Sequence, residues 1–256
     1  MSAALADLSG LHDLHVAADP TAAWPEYRAL IEDAIINAPR SQQRRIGPSE
    51  LGTPCLLCLG RKLAGIPERP EAGWFPTIGT AVHAWLDEVF AVANRGHQHA
   101  RWLTELSVDV GDVDGTTITG HCDLYDRATA SVNDWKVVGD TKLKSIKSKG
   151  PGQDYRVQAH LYGRGMVRRG LPVDTVRVIF LPRNAATLDT TRVWHEPYDE
   201  TVALDALGRA DALAKAIRLA GPDVVLPGLT ATPGCRSCPR YGPPAAPPAL
   251  ADLLGR

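Results

Sequence analysis

No apolar run in the 256-residue chain approaches the roughly 20 residues that a membrane-spanning helix needs. The amino terminus carries acidic residues where an export signal wants basic ones, so a cytoplasmic protein with no membrane partner is expected. No internal repeat is present, which excludes solenoids and arrays. No Gly-rich loop runs into Lys-Ser/Thr, so ATP-driven unwinding is not expected of this chain itself. Net charge is nearly absent, with 28 Lys and Arg against 29 Asp and Glu, and an even spread would argue against a polyanionic partner. Cysteines number only five, and in a reducing compartment such a set serves metal binding or catalysis rather than a disulfide framework.

What remains is ordinary globular composition, 44% hydrophobic and 22% charged, enough for one substantial core. One domain over residues 1–240 is expected, with its core at about 76–198 and cysteine-bearing segments at about 47–67 and 228–240. Residues 241–256 read as a flexible tail. Apolar spacing predicts helices over Pro25 to Ala38, within Leu51 to Ile66, and over Thr77 to Asn94, with a polar, basic break from Pro39 to Arg45. Alternation then predicts strands from Thr104 through Val110, Thr117 to Tyr125 and Ser131 to Val138. A lysine-rich loop from Gly139 to Gly152 leads to a helix over Gln153 to Arg169, strands at Val173 to Leu181 and Thr190 to His195, and a helix from Glu200 to Leu219. This order predicts an α/β or α+β fold, a mixed central sheet flanked by helices. The charge is also uneven. Between Lys136 and Arg169 nine basic residues face only Asp140 and Asp154, a concentration able to attract a polyanion.

Two carboxylates sit on consecutive predicted strands, Asp123 in Gly-His-Cys-Asp and Asp134 in Asn-Asp-Trp-Lys, with Lys136 two residues beyond the second. Strand alternation puts Asp134 and Lys136 on one face. It groups Thr119, His121, Asp123 and Tyr125 on one side of the preceding strand and turns Cys122 to the core. If the strands pair as a hairpin, Asp123 and Asp134 can converge on a divalent cation, since Mg²⁺ prefers one or two carboxylates and keeps several waters. Lys136 would then offer positive charge to a phosphate under attack. An isolated Asp-x-Lys is more often a solvated surface pair, so the surrounding motifs matter.

Gly120 to Asp123, Asp134 to Lys136 and the run Gln158 to Tyr162 follow one another in the order found in the RecB-like branch of the PD-(D/E)xK nuclease superfamily, which the chain resembles. Gly79 to His83 matches a Gly-x-x-x-His pattern of that branch, and Glu105 matches a recurrent acidic position. The resemblance implies a restriction-endonuclease-like core and a Mg²⁺- or Mn²⁺-dependent deoxyribonuclease, an exonuclease on linear single- or double-stranded DNA. It implies His83, Asp123 and Asp134 as metal ligands, Lys136 as catalytic, and Gln158 and Tyr162 as residues that position the DNA and the site. Two departures are plain: no proline precedes the first acid, and Asp stands in a slot where Glu is frequent.

Cys55-x-x-Cys58 and Cys235-x-x-Cys238 form a split set that predicts one shared metal site clasping the two ends of the chain, both pairs reading as loop residues. Four thiolates suit Zn²⁺ or an iron-sulfur cluster, and spacing does not decide. The chain resembles CRISPR-associated exonucleases, which implies a [4Fe-4S] cluster. Their usual arrangement, one early and three late cysteines, differs from the two and two here and keeps zinc open. Partners implied by the resemblance are DNA and recombination, phage or CRISPR-adaptation proteins. Two other readings stand beside the enzyme: a catalytically inactive nuclease-fold subunit that binds DNA in a recombination or CRISPR-adaptation complex, and a zinc-stapled structural protein whose acids merely solvate its strands.

Overall fold

The computed structural model describes residues 24–38, 46–69 and 73–242. Four helices come first, α1 (Trp24–Ile36), α2 (Pro48–Leu51), α3 (Leu56–Leu63) and α4 (Trp74–Asn94). Strands β1 (Trp102–Val113), β2 (Thr116–Asp126) and β3 (Ser131–Val138) follow, then α5 (Asp140–Lys149) and α6 (Gln153–Arg168). The chain continues through β4 (Thr175–Pro182), β5 (Arg192–Pro197), α7 (Glu200–Ala220) and α8 (Pro222–Val225). The five strands form one mixed sheet in the order β1-β2-β3-β4-β5. β1, β2 and β3 are an antiparallel meander, β3 and β4 run parallel, and β5 closes antiparallel on β4. A parallel pair needs a long crossover, and α5 with α6 supplies it.

The core lies under α6 and α7. Val132, Val176, Val178 and Phe180 of the sheet are fully buried, as are Ala159, Leu161 and Met166 of α6 and Ala203 and Ala210 of α7. Burying each large member of this set contributes about 1.5–3 kcal/mol. By contrast, α1 and α4 bury no residue completely. α4 rests on the sheet through Phe90, whose ring stacks on Trp135 at 5.7 Å and meets Trp102 edge-on at 5.5 Å. Trp74, Phe75 and Trp85 of the same helix stay exposed. Among the described residues no helix is long and apolar enough to cross a membrane.

The lysine-rich segment is a helix, not the expected loop. Leu143 and Ile146, three apart, are buried on one face while the lysines stand outside, and Gly150, at φ 73, ends the helix. The loop signals Gly150, Pro151 and Gly152 therefore mark only a sharp break between α5 and α6. Tyr241, placed by the sequence at the start of the tail, is buried, with its hydroxyl 3.1 Å from Glu68 and Arg61 over its ring. The basic break at 39–45 and residues 243–256 lie outside the described residues.

Gly120 shows how tightly the layers meet. A Cβ there would lie 2.6 Å from Pro48 Cγ in α2 and 3.0 Å from Tyr162 Cε1 in α6. Gly120→Ala is expected to cost about 1–3 kcal/mol through overpacking and to lower the melting temperature by on the order of 5 °C. A thermal melt of the variant checks this, and an unchanged midpoint would mean that the two helices can give way.

Candidate active site

Pairing of β2 with β3 runs Asp126↔Ser131, Tyr125↔Val132 and Leu124↔Asn133 and then stops. The next rung would set Asp123 opposite Asp134, and like charges directly opposed are unfavourable. Asp123 instead accepts a hydrogen bond at Oδ2 from the Trp135 N–H, 2.7 Å away. On the other side, β1 skips the rung between Thr104↔Leu124 and Leu106↔Cys122, where Glu105 takes a φ of 46°. Left-handed backbone at a non-glycine residue costs on the order of 1–3 kcal/mol and tends to persist where surroundings hold it for a purpose.

This double irregularity breaks the side-chain alternation. Cys122 faces the core as expected, but so does Tyr125, 1% exposed, with its hydroxyl donating to Pro172 O at 2.5 Å. The expected grouping of Tyr125 with Asp123 therefore fails at Asp123 itself. The expected pairing of Asp134 with Lys136 holds: Asp134 Oδ2 is 2.5 Å from Lys136 Nζ. Trp135 between them turns to the other side, against α4.

α4 delivers His83, whose Nδ1 lies 3.4 Å from Asp123 Oδ1. Burial alone would lower the His83 pKa, but the Asp123 carboxylate more than compensates and holds it above its ordinary value. One ligand atom each from His83, Glu105 and Asp123 fall within 4.8 Å of one another. Of the sequence-derived ligand set, His83 and Asp123 are thus brought together, Glu105 joins them, and Asp134 stands just behind with Lys136.

Asp134 is 0% exposed; its Oδ2 has the Lys136 ammonium beside it, and its Oδ1 has no hydrogen-bond partner among the described residues. Burial pushes its pKa up to about 6, Lys136 pulling down and Asp123 adding to the rise. A buried carboxylate with one ion pair and a second oxygen left bare is under-satisfied, and a cation would complete it. Lys136 alone does not satisfy it. The nearby mix of imidazole and carboxylates is a donor set that suits Mn²⁺ or Mg²⁺.

α6 supplies the back wall. Gln158 Nε2 donates to the Tyr162 hydroxyl at 3.2 Å, and both side chains are buried. Burial first, then Asp134 and Asp123, raise the Tyr162 pKa, so its hydroxyl keeps its proton. His83, Glu105, Asp123, Lys136, Gln158 and Tyr162 all line one open cleft of about 1710 Å³. Three further residues at this cleft went unnoticed in the sequence: Phe75 and Tyr155, which line it, and Arg183, which stacks on Phe75.

The four cysteines are gathered as their spacing predicted. Sγ atoms of Cys55 and Cys238, and of Cys58 and Cys235, are 3.6 Å apart, Cys58 and Cys238 are 3.3 Å apart, and all four lie within 4.8 Å. One expectation changes: Cys55 caps α3 and Cys58 lies in its first turn, both buried, rather than in a loop. A helix N-terminus favours thiolates. Although burial opposes it, the Thr232 and Cys58 N–H groups and neighbouring thiols bring the Cys55 pKa down to about 6, while burial and the same neighbours push the Cys58 thiol well up, so that in the absence of metal the set holds one thiolate rather than several. The site ties α3 to the chain after α8, and Arg209 of α7 reinforces it by donating to the carbonyls of Leu51 and Thr53 at 2.7 and 2.8 Å.

No family model matches the chain, and no curated protein matches it. Two solved structures are similar to it at low identity. One is SSO0001, with a TM-score of 0.46 and 14% identity over 76% of this chain and 86% of that one. The other is a candidate exonuclease from Eubacterium rectale, with a TM-score of 0.47 and 12% identity over 86% of this chain and 96% of that one. Likeness this distant leaves the function to the residues themselves.

Proposed function

We propose that the chain is a metal-dependent deoxyribonuclease of the RecB-like PD-(D/E)xK kind, an exonuclease on linear DNA whose centre is His83, Asp123, Asp134 and Lys136. The observation that carries this reading is the Asp134 carboxylate: wholly out of water, paired with Lys136 at one oxygen and unpartnered at the other, directly behind the cleft that Asp123 and Lys136 line. An acid that merely solvated its strand would lie in water. A binding-only subunit would gain nothing from holding Asp134 ionised at this cost.

His83, Asp123 and Asp134 would hold Mg²⁺ or Mn²⁺, with Glu105 beside them, and the ion would supply Lewis-acid polarisation and a water of lowered pKa. The chain's own groups then have definite tasks. Lys136 places positive charge where a phosphate gains negative charge. Gln158 occupies a lone pair of the Tyr162 oxygen, so the Tyr162 proton is free to be donated to a phosphate oxygen in the cleft. The lysines of α5 would draw the polyanion in, whereas Arg156 and Arg164 of α6 are taken up by ion pairs with Glu196 and Glu200.

The cysteine site serves as a structural metal centre. The [4Fe-4S] cluster implied by the resemblance and a single Zn²⁺ differ in what they ask of the sulfurs. Four thiolates at about 2.3 Å from one tetrahedral ion stand about 3.8 Å apart, and the separations of 3.3 and 3.6 Å favour that smaller arrangement. One Zn²⁺ per purified chain would support it, four iron atoms with sulfide would support the cluster, and absence of both would remove the centre.

Lys136→Ala tests the nuclease reading. Mn²⁺-dependent cleavage of end-labelled linear DNA is expected to fall by on the order of 10²-fold, with DNA binding kept within a few-fold. Cleavage at the wild-type rate would take Lys136 out of the centre.

A further inference from the structure

The mouth of the cleft carries an aromatic residue that packing does not explain. Phe75, the second residue of α4, is 59% exposed, and Trp74 before it is 57% exposed. Phe75 lines the same cleft as His83, eight residues further along the helix, a rise of about 12 Å. The Arg183 guanidinium lies 3.4 Å from the Phe75 ring centroid, covering one face. Arg183 is held in place from the sheet: it directly follows β4, and its N–H donates to Val138 O at 2.9 Å. Val138 is two residues beyond Lys136 on β3, about 7 Å along the strand. A second cation–aromatic pair flanks Lys136, with Lys142 Nζ 5.0 Å and Lys136 Nζ 5.9 Å from the Tyr155 ring centroid.

Building on the nuclease reading above, we propose that Phe75 and Arg183 form a clamp that takes one unstacked nucleobase on the open face of the ring and its phosphate on the guanidinium, so that the cleft accepts a single-stranded DNA end. Base stacking on an aromatic ring is tolerant of sequence because every base has a π-face. A duplex hides those faces between neighbouring pairs, so only an unpaired end can use the ring. Arg183, its backbone fixed to β3 and its guanidinium already stacked on Phe75, loses little freedom when a phosphate arrives. The positive charge of Arg183, Lys142 and the exposed lysines of α5 complements the strand.

The test is fluorescence anisotropy of the full chain with a labelled short oligothymidylate and with a blunt hairpin duplex, Ca²⁺ replacing the catalytic metal. Phe75→Ala is expected to weaken oligothymidylate binding about 10-fold, to leave hairpin binding within two-fold, and to keep the melting temperature, because the side chain is exposed. Phe75→Trp should retain wild-type binding. Arg183→Ala should reduce the salt dependence of oligothymidylate binding by about 0.7 in log–log slope. Equal binding of oligothymidylate by wild type and Phe75→Ala overturns the clamp, as does equal weakening on both probes or no binding by wild type. Metal-dependent cleavage by wild type separates the two claims: cleavage with an indifferent Phe75 leaves the nuclease and removes the clamp. No cleavage, with discrimination lost only in Phe75→Ala, does the reverse.

Discussion

Asp134→Asn is expected to reduce metal-dependent DNA cleavage by at least about 10³-fold and, at the same time, to make the metal-free protein more stable. The folded protein raises this carboxyl from 3.8 to about 6, about two units, so its ionised form costs on the order of 3 kcal/mol at neutral pH. A neutral amide of the same shape avoids that cost and can still accept from Lys136. The sign with pH follows from the raised value. Above about 6 the penalty is present in full, and it fades as the pH falls toward 4 because the fold prefers the protonated acid. His83 acts in the same sense, since its raised pKa gives stability in mild acid that is lost as the pH rises through the folded value. The melting-temperature advantage of Asp134→Asn over wild type, measured without metal, should therefore shrink from pH about 8 to pH about 4. Cleavage should move the opposite way, falling as the pH drops because His83, held above its ordinary pKa, and then Asp134, near pH about 6, take up protons in place of metal. Mn²⁺ should raise the melting temperature of wild type but not of the variant. A variant less stable than wild type at pH about 8 would show that Lys136 already satisfies Asp134 and that the carboxylate awaits no further cation.

The second large effect belongs to the four cysteines. Replacing Cys58 and Cys235 together by serine is expected to cost at least about 4 kcal/mol, a fraction of what a structural metal contributes to small domains, and to lower the melting temperature on the order of 10 °C. The loss should be regional. The segment from Thr232 to Tyr241 is tied to α3 at that site, whereas α3 also packs Leu57 and Leu59 into the core and the sheet under α6 and α7 is held by its own buried side chains. Amide hydrogen exchange should accelerate in α3 and around residues 232–241 and change little in β3 and β4. Uniformly unchanged exchange and a wild-type melt would mean that the cysteines pack without metal.

Where the residues announce their environment by local period, the sequence was readable. β3 was foreseen to the residue, α6 and α7 within one residue, and the pairing of Asp134 with Lys136 followed from alternation alone. The split cysteine pairs were legible because two equal spacings at opposite ends of a chain have few other uses. Glu105 was not placed in the cluster by spacing, since its position depends on a left-handed backbone that alternation cannot encode. Tyr125, two residues beyond Asp123, was misplaced because the ladder is interrupted on both sides of Asp123. Lysines masked α5, whose two buried apolar residues are a weak signal in ten. Phe75 and Arg183 are more than a hundred positions apart and meet only because β4 ends beside α4.

The most direct measurement is incubation of anaerobically purified wild type and Asp134→Asn with end-labelled linear single- and double-stranded DNA, with Mn²⁺, with Mg²⁺ and with chelator. The account predicts progressive loss of label by wild type with either metal, none with chelator, and none by the variant. Equal degradation by both proteins, or none by wild type with any metal, would contradict a nuclease centred on Asp134.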